Sequence, residues 1–336
     1  MFYVIIITMR KSVYERVYGQ NELKEMICRW QGAEHVPSRI RIITDTSDFF
    51  HVDYDDALIL NDRPYLMRNN EKEGRFGLND EPKYWVRHAV DLLSGEIKVI
   101  KMVFHEKFKI RVGKITFDCI RSPLKEARIL GIVEGHPHFM QGFAVKDAAG
   151  NIIRILDYIH GAKLSDKIHG MSPSHEDYFF HHFPSVLNVY IEMVKAIGFL
   201  HNRGEKHGDI RGDHLILDNQ TGNYRWIDFD FNYFHRESFA GYDLFGLGNL
   251  LTYITAQKYL TLQNLVENDS PALRHLTQND LNVIFRNRVS NLQKVYPYIP
   301  DSLNLILLHF SQGAHVFYES ASELLSDLME VKNELH

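Results

Sequence analysis

Residues 207–230 read HGDIRGDHLILDNQTGNYRWIDFD, and this stretch decides the fold. His207-Gly208-Asp209 is followed by His214 and then by an apolar run, Leu215 to Leu217, that reads as a strand. A second short strand, Tyr224 to Ile227, delivers Asp228-Phe229-Asp230. Asp209 and Asp228, nineteen residues apart, are therefore carried on adjacent turns of one hairpin. Two acids so placed divide a chemical task between them. One can accept the proton of a hydroxyl, and the other can hold a metal that bridges phosphates.

The 336 residues are 45% hydrophobic, enough to bury one large core or two moderate ones. A net charge of −5 with both signs interspersed argues against general affinity for nucleic acid or anionic membrane. Cys28 and Cys119 form no pairing motif, which suits a reducing compartment and excludes a cysteine zinc site. Phe2 to Thr8 is apolar but too short to span a bilayer, and it lacks a signal-peptide cleavage region, so it reads as a buried strand. A soluble, cytoplasmic protein without membrane insertion is expected. The 19 histidines are scattered, and pairs such as His181-His182 lack metal-ligand spacing.

Outward from the hairpin, the chain divides by periodicity. In the first 60 residues, Leu23, Met26, Ile27 and Trp30 share one helical face between two strand-like runs. From about 58 to 156 strands dominate. Tyr84–Leu93 and Ile97–Phe104 are joined by Ser94-Gly95-Glu96, and Phe139–Val145 and Ile152–Tyr158 by residues 148–151. A helix, Pro123 to Val133, interrupts them and ends at Gly135. From Lys163 the pattern is helical, with stripes at Leu187, Tyr190, Ile191, Val194 and Ile197 and again at Leu303, Ile306, Leu307 and Phe310. Ser320 and Glu323 form a capping box for a last helix. Strands followed by helices make an α+β protein.

Taken in order, residues of about 60 to 330 resemble the protein-kinase-like superfamily, in an atypical form similar to bacterial Ser/Thr kinases. Val99-Ile100-Lys101 resembles the strand whose lysine holds the α and β phosphates of ATP. Lys98, on the opposite strand face, suits an ordinary lysine. Glu126 stands where a helix glutamate pairs with that lysine; a solvated helix position is its alternative. Gly74-Arg75-Phe76-Gly77 resembles a glycine-rich phosphate loop lacking its third glycine. Ile155 to Ile159 resembles the hinge, with Leu156 as gatekeeper and the Asp157 carbonyl and Ile159 amide facing adenine. By the same resemblance Asp209 is the catalytic base, His214 and Asp228 are metal ligands, and Asp243 caps the catalytic-loop backbone.

Several positions depart from that pattern. Gly208 replaces an arginine, His214 an asparagine and Asp230 a glycine, while Arg211 stands in place of a lysine directed at the γ-phosphate. Asp228 and Asp243 are only 15 residues apart, with no Ala-Pro-Glu between them, too short for a full peptide-docking segment. Gly208 and the short segment are similar to aminoglycoside and choline kinases, and His214 to lipopolysaccharide heptose kinases. Asp230, two residues from Asp228, is a third metal ligand or a solvent-facing acid beside a His214–Asp228 hydrogen bond.

The resemblance implies a two-lobed fold: an α/β extension over 1–57, a strand-rich N-lobe over 58–159 and a helical C-lobe over 160–336. It also implies ATP with Mg²⁺ or Mn²⁺. The acceptor is a hydroxyl group on a protein Ser/Thr or on a small molecule of the sugar, aminoglycoside or choline type. A pseudokinase scaffold is the other class, and the four charged groups Lys101, Glu126, Asp209 and Asp228 argue against it.

Overall fold

The computed structural model describes residues 16–73, 81–112, 115–172, 174–235 and 238–335. Phe2–Thr8 and the glycine pair Gly74 and Gly77 lie outside the described residues. The chain forms two compact units. One takes residues up to 106, 121–136 and 140–159, and the other takes 107–120, 137–139 and 160–336.

The first unit is built on α1 (Gln20–Gln31) and the strands β1 (Ile42–Ile43), β2 (Ala57–Leu60), β3 (Arg63–Glu73), β4 (Glu81–Asp91) and β5 (Ile97–Lys101). The chain then donates a ribbon, β6 (Lys107–Val112) and β7 (Ile115–Arg121), to the second unit. It returns as α2 (Pro123–Ile132), β8 (Gly142–Lys146) and β9 (Ile152–Asp157). The seven-stranded sheet of the first unit runs β1-β2-β3-β4-β5-β9-β8. Its hairpins follow from local chemistry. Asn61 and Asp62, at φ 49° and 58°, make the two-residue turn between β2 and β3 that requires positive φ at both positions.

Successive residues of β2 point to opposite sides of the sheet and both sides are buried. Leu58 and Leu60 join Tyr65, Met67, Ile100 and Ile155 on one face. Ala57 and Ile59 join Leu23, Ile27, Leu66 and Val90 on the other. Over its described residues, the 1–57 extension is therefore part of this sheet and core: β1 pairs in parallel with β2, and α1 covers the second face. Trp30 fastens α1 to the β4–β5 turn, donating from Nε1 to the Leu92 carbonyl at 3.0 Å. Gly95 of that turn has φ 81°, and a Cβ there would strike the Trp30 ring at 2.4 Å.

The second unit continues with β10 (Gly161–Lys163), α3 (Leu164–His169), α4 (His175–His181), α5 (Phe183–His201), β11 (Leu215–Asp218), β12 (Tyr224–Trp226) and β13 (Phe231–Phe234). It closes with α6 (Gly241–Ala256), α7 (Leu262–Glu267), α8 (Asp301–Leu308) and α9 (Ala321–Leu335). By length and composition α5 could cross a membrane, but more than half of it is buried in the protein. Tyr190 on α5 donates to the Leu247 carbonyl of α6, and Trp226 donates to the Met193 carbonyl of α5, so the hairpin and two helices share one core.

Two small sheets complete this unit: β10-β11-β12, and β13-β7-β6. The second holds a strand that the sequence reading did not anticipate. The segment after Asp228 is a strand paired to the ribbon inserted between β5 and α2, with Phe108 against Phe231 and Phe117 against Tyr233.

Candidate active site

In the first unit, β5 and β9 pair antiparallel with Lys101 opposite Arg154. Ser122 caps α2 by accepting from the Lys125 amide, and Pro123 opens its first turn, which fixes where Glu126 projects. Lys101 Nζ lies 2.7 Å from Glu126 Oε1, and both side chains are buried. The solvated alternative for Glu126 is thereby removed. Arg154 completes the cluster: Nε meets Glu126 Oε2 at 3.0 Å, and the two terminal nitrogens donate to the carbonyls of Ile152 and Met102. Arg154 had no sequence signal, because within Ile152-Ile153-Arg154-Ile155 it reads as the exposed residue of a strand. Lys98, on the other face, pairs with Asp157 at 2.8 Å and Glu96 at 2.7 Å. Asp157 ends β9, and Ile159 follows in the connector beyond it.

In the second unit, Asp218 holds the turn of the hairpin, accepting from the Gln220 amide, the Thr221 hydroxyl and the Arg225 guanidinium at 2.9–3.0 Å. At the open end, the Ile227 amide donates to the His214 carbonyl at 3.0 Å. Asp228 then adopts φ 62°, which turns the chain sharply out of the hairpin. Phe229, fully buried, packs edge-on to His207 and Phe139 and anchors that turn.

Asp243, at the start of α6, accepts from the amides of His207 and Gly208 at 2.8 Å and from His201 Nε2 at 2.9 Å. Burial alone would raise its carboxyl. The His201 hydrogen bond and charge, with His207 and the Gly208 amide, outweigh burial and hold it down at about 2. Gly208 has φ 91°, so the loop leading to Asp209 requires glycine where an arginine would be strained.

His214 lies between the two acids. Its Nδ1 is 2.8 Å from the Asp209 carbonyl, which can only accept, so Nδ1 carries a proton. Its Nε2 is 3.7 Å from Asp228 Oδ2, beyond a hydrogen bond, and its Nδ1 is 3.6 Å from Asp209 Oδ2. Burial, then the charges of Asp228 and Asp213, raise the Asp209 carboxyl against the pull of His214 and Arg211. Asp230 is fully buried, so it does not point to solvent, and one of its oxygens lies within 4.8 Å of one on Asp228. Arg211 forms a two-pronged pair with Asp213, at 2.7 and 2.6 Å, a partner the sequence reading missed. A groove of 1010 Å³ elsewhere in this unit, lined by Phe199, Phe239, Phe245 and Phe317, is not lined by Asp209 or Asp228.

No family model matches the chain. Two rice proteins, CBL-interacting protein kinases 28 and 11, are each 28% identical to it, over 158 and 171 residues. These matches cover 47% and 51% of this chain and 31% of each relative. An Arabidopsis thaliana relative, CBL-interacting serine/threonine-protein kinase 3, is 31% identical over 144 residues, 43% of this chain and 29% of its own length. The chain thus matches under a third of the length of these relatives. The kinase domain of Mycobacterium tuberculosis PknI shows a slight likeness, with a TM-score of 0.47 at 14% identity over 81% of this chain and 96% of its own. The relatives, together with the ordered motifs on an α+β scaffold, define a kinase-like class. Over about half of its length the chain is similar to protein kinases.

Proposed function

We propose that the chain is an ATP-dependent phosphotransferase that moves the γ-phosphoryl group of ATP to a hydroxyl, most closely in the Ser/Thr-kinase manner. One observation carries this reading: Asp209 and Asp228 flank the His214 ring, whose Nδ1 is fixed as a donor and whose Nε2 is turned to Asp228. Asp209 takes the proton of the acceptor hydroxyl as that oxygen bonds to the γ-phosphorus. The bond to the β–γ bridging oxygen breaks, and ADP leaves with its electron pair. A carboxyl raised by burial is a better base for this than a surface aspartate.

Lys101 binds the α and β phosphates, with Glu126 fixing its ammonium, and the main chain at Asp157 and Ile159 meets adenine. With its charge shared by Asp213, Arg211 orients the loop more than it stabilises transferred charge. The residues in the second unit fit a divalent cation. Two carboxylates, Asp228 and Asp230, and the His214 Nε2 turned to Asp228 make a donor set of the kind divalent metals accept. Asp228, Asp230 and His214 would hold Mg²⁺ or Mn²⁺, which would neutralise phosphate charge. In this reading residues 58–159 and 160–336 act as the nucleotide-binding and catalytic lobes, and the protein works in the cytoplasm, where ATP is supplied.

A small hydroxyl compound is the second acceptor class. It is favoured by β13, because the segment that docks peptides in protein kinases is here a strand paired to β7. Both readings are tested by ATP turnover with Mg²⁺ and Mn²⁺ over protein and sugar acceptors. Asp209→Asn should lower turnover by roughly 10²- to 10⁴-fold with the ATP dissociation constant hardly moved. Turnover at the wild-type rate in that variant would remove Asp209 from the mechanism.

A further inference from the structure

The second unit holds a cation that phosphoryl transfer as described leaves unused. The Arg288 guanidinium lies 3.7 Å from the centroid of the Tyr259 ring and 3.8 Å from that of Phe285, and its Nη1 donates to Asn249 Oδ1 at 3.0 Å. Two rings and one amide fix the plane of the guanidinium while partly shielding it from water. Burial draws its pKa down, and no carboxylate counters this: among the described residues none lies within ion-pair distance. A half-buried guanidinium with no acid beside it is costly, and an arriving anion relieves that cost.

Its position relates it to the catalytic loop. Asn249 is on α6, whose neighbouring residues pack under that loop. A Cβ on Gly246 would stand 2.8 Å from Ile210 Cβ, and one on Gly212 would stand 3.5 Å from Leu250 Cδ1. The charges of Asp213 and Arg211 also reach Tyr259. Arg211 is matched by Asp213, so its charge is already answered, whereas that of Arg288 is not.

We propose that Arg288, oriented by Tyr259, Phe285 and Asn249, recognises an oxyanion, phosphate or carboxylate, carried by the hydroxyl acceptor. The acceptor of this phosphotransferase is then an acidic compound. The inference rests on the phosphotransferase reading for its purpose, but the anion site stands or falls by binding alone.

The test is calorimetric titration of inorganic phosphate into the full chain saturated with a nonhydrolysable ATP analogue, so that the nucleotide site is already filled. A single phosphate site is expected, weakened about tenfold or more in Arg288→Gln, since the charged fork supplies most of its hydrogen bonds. Arg203→Gln, which removes an exposed arginine stacked 3.4 Å over Phe199, should bind phosphate as the wild type does. Arg288→Lys keeps the charge but loses the fork and should bind several-fold more weakly, a readout that remains if the glutamine variant fails to fold. Undetectable phosphate binding by the wild type, or wild-type affinity in either Arg288 variant, overturns the proposal. Acceptor arms then distinguish the sources of the oxyanion, with phosphorylated and carboxylated sugars compared against their neutral parents. Phosphate binding that depends on Arg288 alongside full turnover in Asp209→Asn would keep the anion site and discard the catalytic reading.

Discussion

In the first unit, Glu126 touches Lys101 at 2.7 Å and Arg154 at 3.0 Å and is closed off from water. In the second, His214 stands 3.6 Å from one carboxylate and 3.7 Å from another, hydrogen-bonded to neither. The first cluster sets two cations on one carboxylate at contact distance. Contact pairs in a buried cluster fix geometry, because breaking one leaves a stranded charge. The two acids around His214 are instead held back from its ring, beyond hydrogen-bond distance.

The largest effect expected from this contrast falls on Arg154. Arg154→Met leaves Glu126 with only Lys101 and frees the carbonyls of Met102 and Ile152, so it should destabilise the fold by about 3–5 kcal/mol, the usual cost of breaking a buried pair. Lys101→Met should cost less, because Arg154 still neutralises Glu126, while abolishing nucleotide binding. Denaturant unfolding of both variants measures the difference. Equal stability losses would mean that Arg154 does not lock Glu126 and that the first cluster is as loose as the second.

The same contrast recurs within the second unit, between Asp243 and Asp209. Their carboxyls move in opposite directions, Asp243 down to about 2 and Asp209 up. A depressed carboxyl contributes stability that is present above its unfolded value near 4 and lost as pH falls through about 2, an order of 2 kcal/mol here. A raised carboxyl does the reverse: its cost to stability accrues as the pH rises from its unfolded value through its folded value, and acidification relieves that cost. At neutral pH, Asp243→Asn should therefore lower the melting temperature and Asp209→Asn should raise it while removing turnover. A lowered melting temperature in both would show that Asp209 serves the fold and not the chemistry.

How much of this was legible in the sequence depended on how far local pattern set the outcome. The 215–227 hairpin, the β4–β5 and β8–β9 pairs, α2 and α5 are governed by periodicity and turn residues within a few positions, and they form where those signals stand. Strand β6, Lys107–Val112, alternates basic and apolar residues and pairs with the next strand, β7, which in turn pairs with β13 more than a hundred residues away. Arg154 and Asp213 escaped notice for a related reason: a charge on a strand or in a loop looks solvated until its distant or tightly folded partner is known. Conversely, Lys101 was separable from Lys98 because strand alternation alone puts them on opposite faces. The Arg211–Asp213 pair was missed at two residues' separation and the Arg154–Glu126 pair at twenty-eight, because neither partner is written in the local pattern.

The smallest expected effect tests the loose cluster directly. If the gap between His214 Nε2 and Asp228 is a place for a cation, the nitrogen should leave its mark on which cation is preferred. Mg²⁺ prefers oxygen donors and Mn²⁺ accepts nitrogen more readily, so a nonhydrolysable ATP analogue should bind about tenfold more tightly, about 1.4 kcal/mol, with Mn²⁺ than with Mg²⁺. His214→Asn substitutes an amide oxygen and should bring that ratio toward one. Asn also loses the Nδ1 bond to the Asp209 carbonyl, so some loss of affinity with both metals is expected, and the ratio is the quantity that decides. Calorimetry with each metal, on both proteins, gives it without any need for an acceptor. A ratio unchanged by the substitution would mean that the imidazole only props Asp209 and that the two acids bind metal without it.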